Sequence, residues 1–250
     1  MKKLTILLMS AFLCILLTAN STFSQDTAPG AVDEESKFSM DVTLNSDMFF
    51  GFYPFFAGSY SLSEKSAFTF YGILWSGGVA QAWGNWTEFG MGINYSPFEG
   101  LDINPQIGLL SGSLLSGLGR AEVGDGIVPN LTVGLDLDHV EGELYAGYYL
   151  GFEHGNPSTL NYLHYWANTG YKFGSGFFSA GLHFEHLRFM GGSNIEDGND
   201  LFMSFGPYVQ FANPNGGGFA RFHGGPNLAD PEKGAVDNST FWKLTVGYSF

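Results

Sequence analysis

The chain is poor in charge, poorer in cations, and all but devoid of cysteine. Charged residues make up 14% of its 250 positions, against about 25% in ordinary soluble domains. That scarcity excludes a charged coiled coil and a charged disordered chain, and argues against a typical cytoplasmic enzyme. Only 10 Lys and Arg stand against 24 Asp and Glu, for a net charge of −14. The basic footprint of a nucleic-acid-binding protein is therefore missing. The one cysteine, Cys14, rules out a disulfide framework and a Cys-based zinc site. Beyond residue 17 no run is long and apolar enough for a membrane-crossing helix, and no convincing period of 3.6 appears. Gly-X-Gly patterns are uninformative in a chain with 36 glycines, and none opens a helix.

What is present begins with an address. Lys2 and Lys3 precede an apolar run from Leu4 to Leu17, followed by small and polar residues to Gln25. This is the layout of a secretory signal peptide, with cleavage expected near Ser24. Cys14 lies inside the apolar run behind Phe12 and Leu13, so it reads as part of that run rather than as a lipid-attachment site. Cleavage removes two cations and no acid, taking the net charge from −14 to −16. Residues 25–36 are polar and acidic and read as a flexible leader to a single domain over 37–250.

That domain shows period-2 alternation in segments of about ten residues, the length of a membrane-spanning strand. In 87–95, Phe89, Met91, Ile93 and Tyr95 share one face, and Glu88, Gly90, Gly92 and Asn94 the other. Twelve such segments are expected: 37–46, 50–62, 66–75, 84–95, 101–110, 127–137, 142–153, 160–171, 177–189, 200–212, 217–224 and 240–250. Connections after even segments are short (SEK, SPFEG, DHVE, KFGSG, NPNG). Those after odd segments are mostly longer, the first excepted. Short periplasmic turns and long outer loops are the asymmetry of an outer-membrane barrel, and an even strand count places both termini in the periplasm. A soluble β-sandwich also alternates, but its solvated face carries Lys and Glu. Here the polar faces are Gly-rich and nearly free of Lys. The expectation is an all-β, antiparallel transmembrane β-barrel of about 12 strands, with ten or fourteen as the alternatives.

The last strand ends Trp242, Leu244, Val246, Tyr248, Phe250 at alternate positions. This resembles the C-terminal signal by which outer-membrane barrels are recognised by their assembly machinery. The phrases WTEFGMGINY (86–95), INPQIGLLSG (103–112), GDGIVPNL (124–131), LHYWANTGYKF (163–173) and FFSAGLHFEHL (177–187) resemble an uncharacterised family of secreted bacterial proteins known only as a domain of unknown function. That resemblance implies no activity and carries over no catalytic residue. In general form the chain is also similar to small porins.

A barrel of this size encloses either a narrow channel or a lumen filled by side chains and loops. Alternation points Asp41, Glu88, Asp102, Asn104, Asp136, Glu143 and Glu153 inward, against Arg221 and Lys243. An acidic lining favours cations. The 111–126 loop, with Leu114, Leu115 and Leu118, folds either inward as a constriction or outward. Antiparallel pairing through the 172–176 turn, with residue numbers summing to about 347–349, sets His164 beside His183 or Glu185, with Tyr149 and Ser204 on the flanking strands. The expected role of this cluster is a hydrogen-bonded polar belt. The spacing matches no metal or cofactor motif, and no catalytic residue, metal or cofactor is expected. His186 is expected to face outward near the outer rim with no nucleophile beside it, which counts against a lipid-modifying enzyme. Acids in two outer loops (Glu196, Asp197 and Asp200; Asp230, Glu232 and Asp237) read as a solvated surface, with divalent bridging to lipopolysaccharide phosphates as the alternative. The leading expectation is a narrow, weakly cation-favouring channel embedded in the lipid bilayer and contacting lipopolysaccharide. A non-conducting barrel acting through its outer loops is second, and a barrel enzyme third. No nucleic acid is expected as a partner, and the oligomeric state is open.

Overall fold

A computed structural model describes residues 36–75, 86–117, 120–154, 159–194, 198–230 and 239–250. The expected signal peptide and its cleavage site lie outside the described residues, as do Leu118, Glu196, Asp197, Glu232 and Asp237.

Twelve antiparallel strands form one closed barrel: β1 Phe38–Asp47, β2 Gly51–Ser63, β3 Ser66–Trp75, β4 Trp86–Phe98, β5 Leu101–Gly112, β6 Glu122–Asp136, β7 Val140–Gly151, β8 Tyr162–Phe173, β9 Phe178–Phe189, β10 Asn199–Ala212, β11 Gly218–Pro226 and β12 Thr240–Ser249. Each strand pairs with its sequence neighbours, and β1 closes on β12 from Asp41↔Ser249 to Asp47↔Lys243. Closure satisfies every strand edge, which is what permits a sheet to lie in lipid. Each of the twelve segments expected from alternation is a strand. The largest difference is at β6, which starts at Glu122 rather than 127. There a register shift between Leu110 and Gly112 breaks the period, and Gly124 takes a positive φ of 74°.

The outer wall is apolar and exposed. On β4, Phe89 and Met91 are 59% and 57% exposed, whereas the intervening face carries the fully enclosed Glu88. A water-soluble sandwich buries its apolar face; this barrel turns it outward, as a lipid-facing wall requires. The chain is a transmembrane β-barrel. Its two ends differ. Turns of two to five residues join the strands at one end, where β1 also begins and β12 finishes. At the other end the connections span nine to thirteen residues, apart from Met48–Phe50. These are called the turn end and the loop end below.

Candidate functional site

The lumen divides into three zones along its axis. At the loop end it is filled. Asp47, the last residue of β1, is buried, and its Oδ1 accepts hydrogen bonds from the amides of Phe49 (2.8 Å) and Phe50 (2.6 Å). This is the local side-chain-to-backbone turn that Asp favours. Gly51 completes the reversal with φ 73°, which a side chain would strain. The result is a tight hairpin whose two Phe side chains are buried within the lumen. Phe49 packs on Phe202 at 4.9 Å, and Phe202 stacks on Phe241 at 4.8 Å. Phe50 meets Trp75 at 4.7 Å, and Trp75 stacks on Trp86 at 5.6 Å. A continuous chain of rings thus links β12, β10, the hairpin, β3 and β4. The loop after β5 turns inward over it. Asp125 accepts the amides of Leu115 (2.6 Å) and Ser116 (3.1 Å), and Leu115 is fully enclosed in the same cluster. Of the two placements open for this loop, its described residues take the inward one.

Directly below the plug lies a polar belt. Glu185 has no exposed surface and accepts from three donors: His164 Nε2 at 2.9 Å, His183 Nε2 at 3.2 Å and Lys243 Nζ at 2.9 Å. A carboxylate is stable in such an enclosed place only when its lone pairs are met in this way. The His164 ring also touches Phe50 at 5.6 Å, so belt and plug are in contact. His183 meets His223 at 4.3 Å, and His223 Nε2 lies 2.9 Å from Ser204 Oγ. His223 Nδ1 is 3.1 Å from the Pro207 carbonyl. The Ser–His contact thus lacks an acid partner, and Ser204 is wholly enclosed, so no substrate reaches its hydroxyl.

Toward the turn end the lumen opens into a chamber of about 440 Å³, continuous in its lining with a second cavity of about 440 Å³. Tyr145 stacks on Trp166 on one wall, and Phe55 on Tyr71 on the other. Carboxylates here are tied to cations or hydroxyls across the lumen. Arg221 donates to Glu143 at 3.1 Å, Lys172 to Asp136 at 2.6 Å, and Tyr208 to Glu141 at 2.6 Å.

The residues singled out from the sequence are distributed as follows. Asp41, Asn104, Glu143, Arg221 and Lys243 line the chamber; Asp102 and Asp136 line the second cavity. Glu88 faces inward but is shut off from the lumen: Tyr71 donates to it at 2.6 Å, and Asn130 donates to Tyr71 at 2.8 Å. Glu153 is a correction. β7 ends at Gly151, so Glu153 stands exposed in the following loop and lines nothing. His164, His183 and Glu185 meet, but not in the expected register. β8 runs on to Phe173 and pairs with Phe178, so pairs sum to 351, His164 faces Leu187 and Glu185 faces Trp166. The His164–Glu185 contact is a diagonal reach. Ser204 pairs with Glu185 across β9 and β10 but bonds to His223. Tyr149 contacts Tyr145 at 3.4 Å and belongs to the plug. Trp242, Leu244, Val246 and Tyr248 all point outward, with Phe250 just past β12 and 75% exposed. His186 faces outward as expected, held between Tyr165 (2.8 Å) and Asp200 (2.9 Å), with Arg188 also on Asp200 at 2.8 Å. Sequence reasoning missed Asp47, Glu141 and His223. Glu141 and His223 share the parity of Glu143 and Arg221 and were legible; Asp47 lies one residue past the expected first segment and was not. Among the described residues no group of three His, Cys, Asp or Glu could hold a metal ion.

A model described as a family of unknown function (DUF6733) matches residues 1–250, and the chain belongs to that family. No curated protein matches the chain. Among solved structures it is similar to an outer membrane channel from Pseudomonas putida F1, at 13% identity and a TM-score of 0.53, covering 90% of this chain and 100% of that one. It is also similar to the KdgM porin, at 14% identity and TM-score 0.49 over 84% of this chain and 99% of that one. The NanC porin aligns at 11% identity and TM-score 0.48 over 84% and 98%. At these identities the likeness concerns the fold.

Proposed function

We propose that this member of the family is a narrow outer-membrane channel for ions or small solutes, closed at rest by the loop-end plug. The observation that carries the reading is the unbroken ring chain Phe241–Phe202–Phe49–Phe50–Trp75–Trp86 above a polar chamber. A barrel built only for structure needs no polar cavity of that size; an open pore needs no plug. On this reading the turn end faces the periplasm, the signal peptide is cleaved near Ser24, and the last strand engages the assembly machinery. The loop end meets lipopolysaccharide. The opened lumen favours cations weakly, because Asp41, Asp102, Asp136, Glu141 and Glu143 outnumber Arg221, Lys172 and Lys243 in the chamber and second cavity. The barrel-enzyme alternative finds no support in the enclosed Ser204.

The test is planar-bilayer recording of folded chain 25–250 under a salt gradient. Wild type is expected to be silent or to open rarely. Phe49→Ala with Phe50→Ala is expected to give discrete steps with cation-favouring reversal. Persistent silence from the double variant, with its heat-dependent gel shift intact, would favour the non-conducting barrel, for which the filled loop end is itself an argument. Large steady currents from wild type would remove the plug from the account.

A further inference from the structure

We propose that the turn-end chamber is a binding site for a small, neutral, polyhydroxylated solute of the sugar class. The inference rests on the chamber being open to the turn end, as in the functional reading above, but not on conduction. Its volume of about 440 Å³ falls within the range of small-molecule sites. At ~30 Å³ per water, it has room for about 15 waters or the solute that displaces them.

The chamber offers two flat apolar faces. Tyr145 and Trp166 stack at 5.9 Å and 20° on β7 and β8, and Phe55 and Tyr71 stack at 5.9 Å and 20° on β2 and β3. Strands β2 and β8 lie half the ring apart, so the two faces look at one another across the cavity. Rings in this arrangement suit a compact body with C–H faces. Between them sit side-chain amides. Asn104 and Gln106 are tied to Thr69 at 2.9 and 3.0 Å, each with further hydrogen-bonding capacity. Asn168, only 5% exposed, has an Nδ2 with no hydrogen-bond partner within the protein. A buried amide donor without a partner is a loss of about 1–3 kcal/mol unless something else accepts from it. Asn168 lines the chamber, and a turn of its side chain would bring this donor to a solute hydroxyl lying between the two aromatic faces.

Charge decides the class. The cations of the chamber are already matched: Arg221 by Glu143 at 3.1 Å and Lys243 by Glu185 at 2.9 Å. An anionic solute would have to break one of these pairs. A cationic solute finds Asp41 with no cation beside it among the described residues, and Glu143 already held by Arg221. An apolar solute would leave the amides unsatisfied. A neutral compound with several hydroxyls matches both the rings and the amides.

Isothermal titration calorimetry on folded chain 25–250 in detergent tests this with maltose, sodium glucuronate and choline as probes. Maltose is expected to give saturable heat. Asn168→Ala and Trp166→Ala should each weaken it about tenfold, the loss of one good contact. Leu228→Ala, at an exposed position in the loop-end connection after β11, should leave the affinity within about twofold. Thr132→Val, a half-buried lining position, serves where a buried variant fails to fold, and should also weaken maltose. Absence of saturable maltose heat would overturn the site. Tighter binding of glucuronate or choline would overturn the neutral class. Silent bilayers from the Phe49→Ala, Phe50→Ala double variant together with maltose binding would remove the channel and leave the site; conduction by that variant without maltose binding would do the reverse.

Discussion

The two ends of one lumen are built from the same inward strand positions and end up as opposites. At the loop end these positions carry Tyr53, Trp75, Trp86, Phe202 and Phe241, and the space closes. At the turn end they carry Asp41, Thr132, Glu143, Asn168 and Arg221, and it stays open. Strand alternation alone settles only which side a residue faces. What closes the loop end is a second device, the Asp47 turn that sends Phe49 and Phe50 into the lumen, with Leu115 folded over them. The turn end stays open because its joins are turns of two to five residues, too short to fold inward, while the strand count fixes the width of the lumen; the Arg221–Glu143 and Lys172–Asp136 pairs neutralise charge along its wall.

Several changes would break or sharpen that contrast. The largest effect on conduction is expected from Asp47→Ala. With its two amide bonds gone the hairpin loses its fixed shape, and open events in bilayer recordings should rise at least about tenfold, the equivalent of ~1.4 kcal/mol. Unchanged silence would mean the ring contacts hold the plug unaided. Next is Glu185→Leu, which strands Lys243 beneath the plug. Removing one partner of an enclosed pair is expected to cost about 3–5 kcal/mol in urea unfolding of the lipid-embedded barrel. Little change would show that the belt is better hydrated than its enclosure implies. On the opposite surface, Leu144→Arg places a cation on the lipid wall and should lose about 2–4 kcal/mol if the position lies near the bilayer midplane. A neutral outcome there would argue against a membrane-embedded β7. The smallest effect is expected at the turn-end rim. Lys172→Ala breaks the pair with Asp136, whose side chain is 79% exposed, and should change stability by less than about 1 kcal/mol.

Alternation made the strands legible because a residue in a barrel wall has only two faces to choose between, and in lipid the wrong choice is severe. Parity of the connections gave the ends. The His164–His183–Glu185 meeting was also within reach of pairing arithmetic, although the register was off. The turn is Gly174–Phe177, opened by Gly174 and Gly176 at φ 57° and 84°, so both strands run closer together in sequence than the composition of 172–176 suggests. Lys243 was legible as inward but not as the partner of Glu185, because β12 and β9 are not neighbours and meet only across the closed lumen. The plug was the least legible part. Phe49 to Phe56 is nearly all aromatic and has no period, so the sequence offers no sign of which rings turn inward. That choice is made by two Asp47 hydrogen bonds, and the loop fold by two more at Asp125. Glu153 failed for a related reason: alternation continues past the point where β7 stops pairing.

The central claim is that the chamber is open to one side of the membrane only. The sole cysteine of the chain, Cys14, lies in the expected signal peptide, so a single cysteine introduced at Thr132 reports on the chamber without background. A membrane-impermeant maleimide should label Thr132→Cys from the periplasmic side and not from the outside of intact cells, while labelling from outside should appear when Phe49→Ala and Phe50→Ala are added. Labelling of Thr132→Cys from outside in an otherwise unaltered barrel would contradict the account.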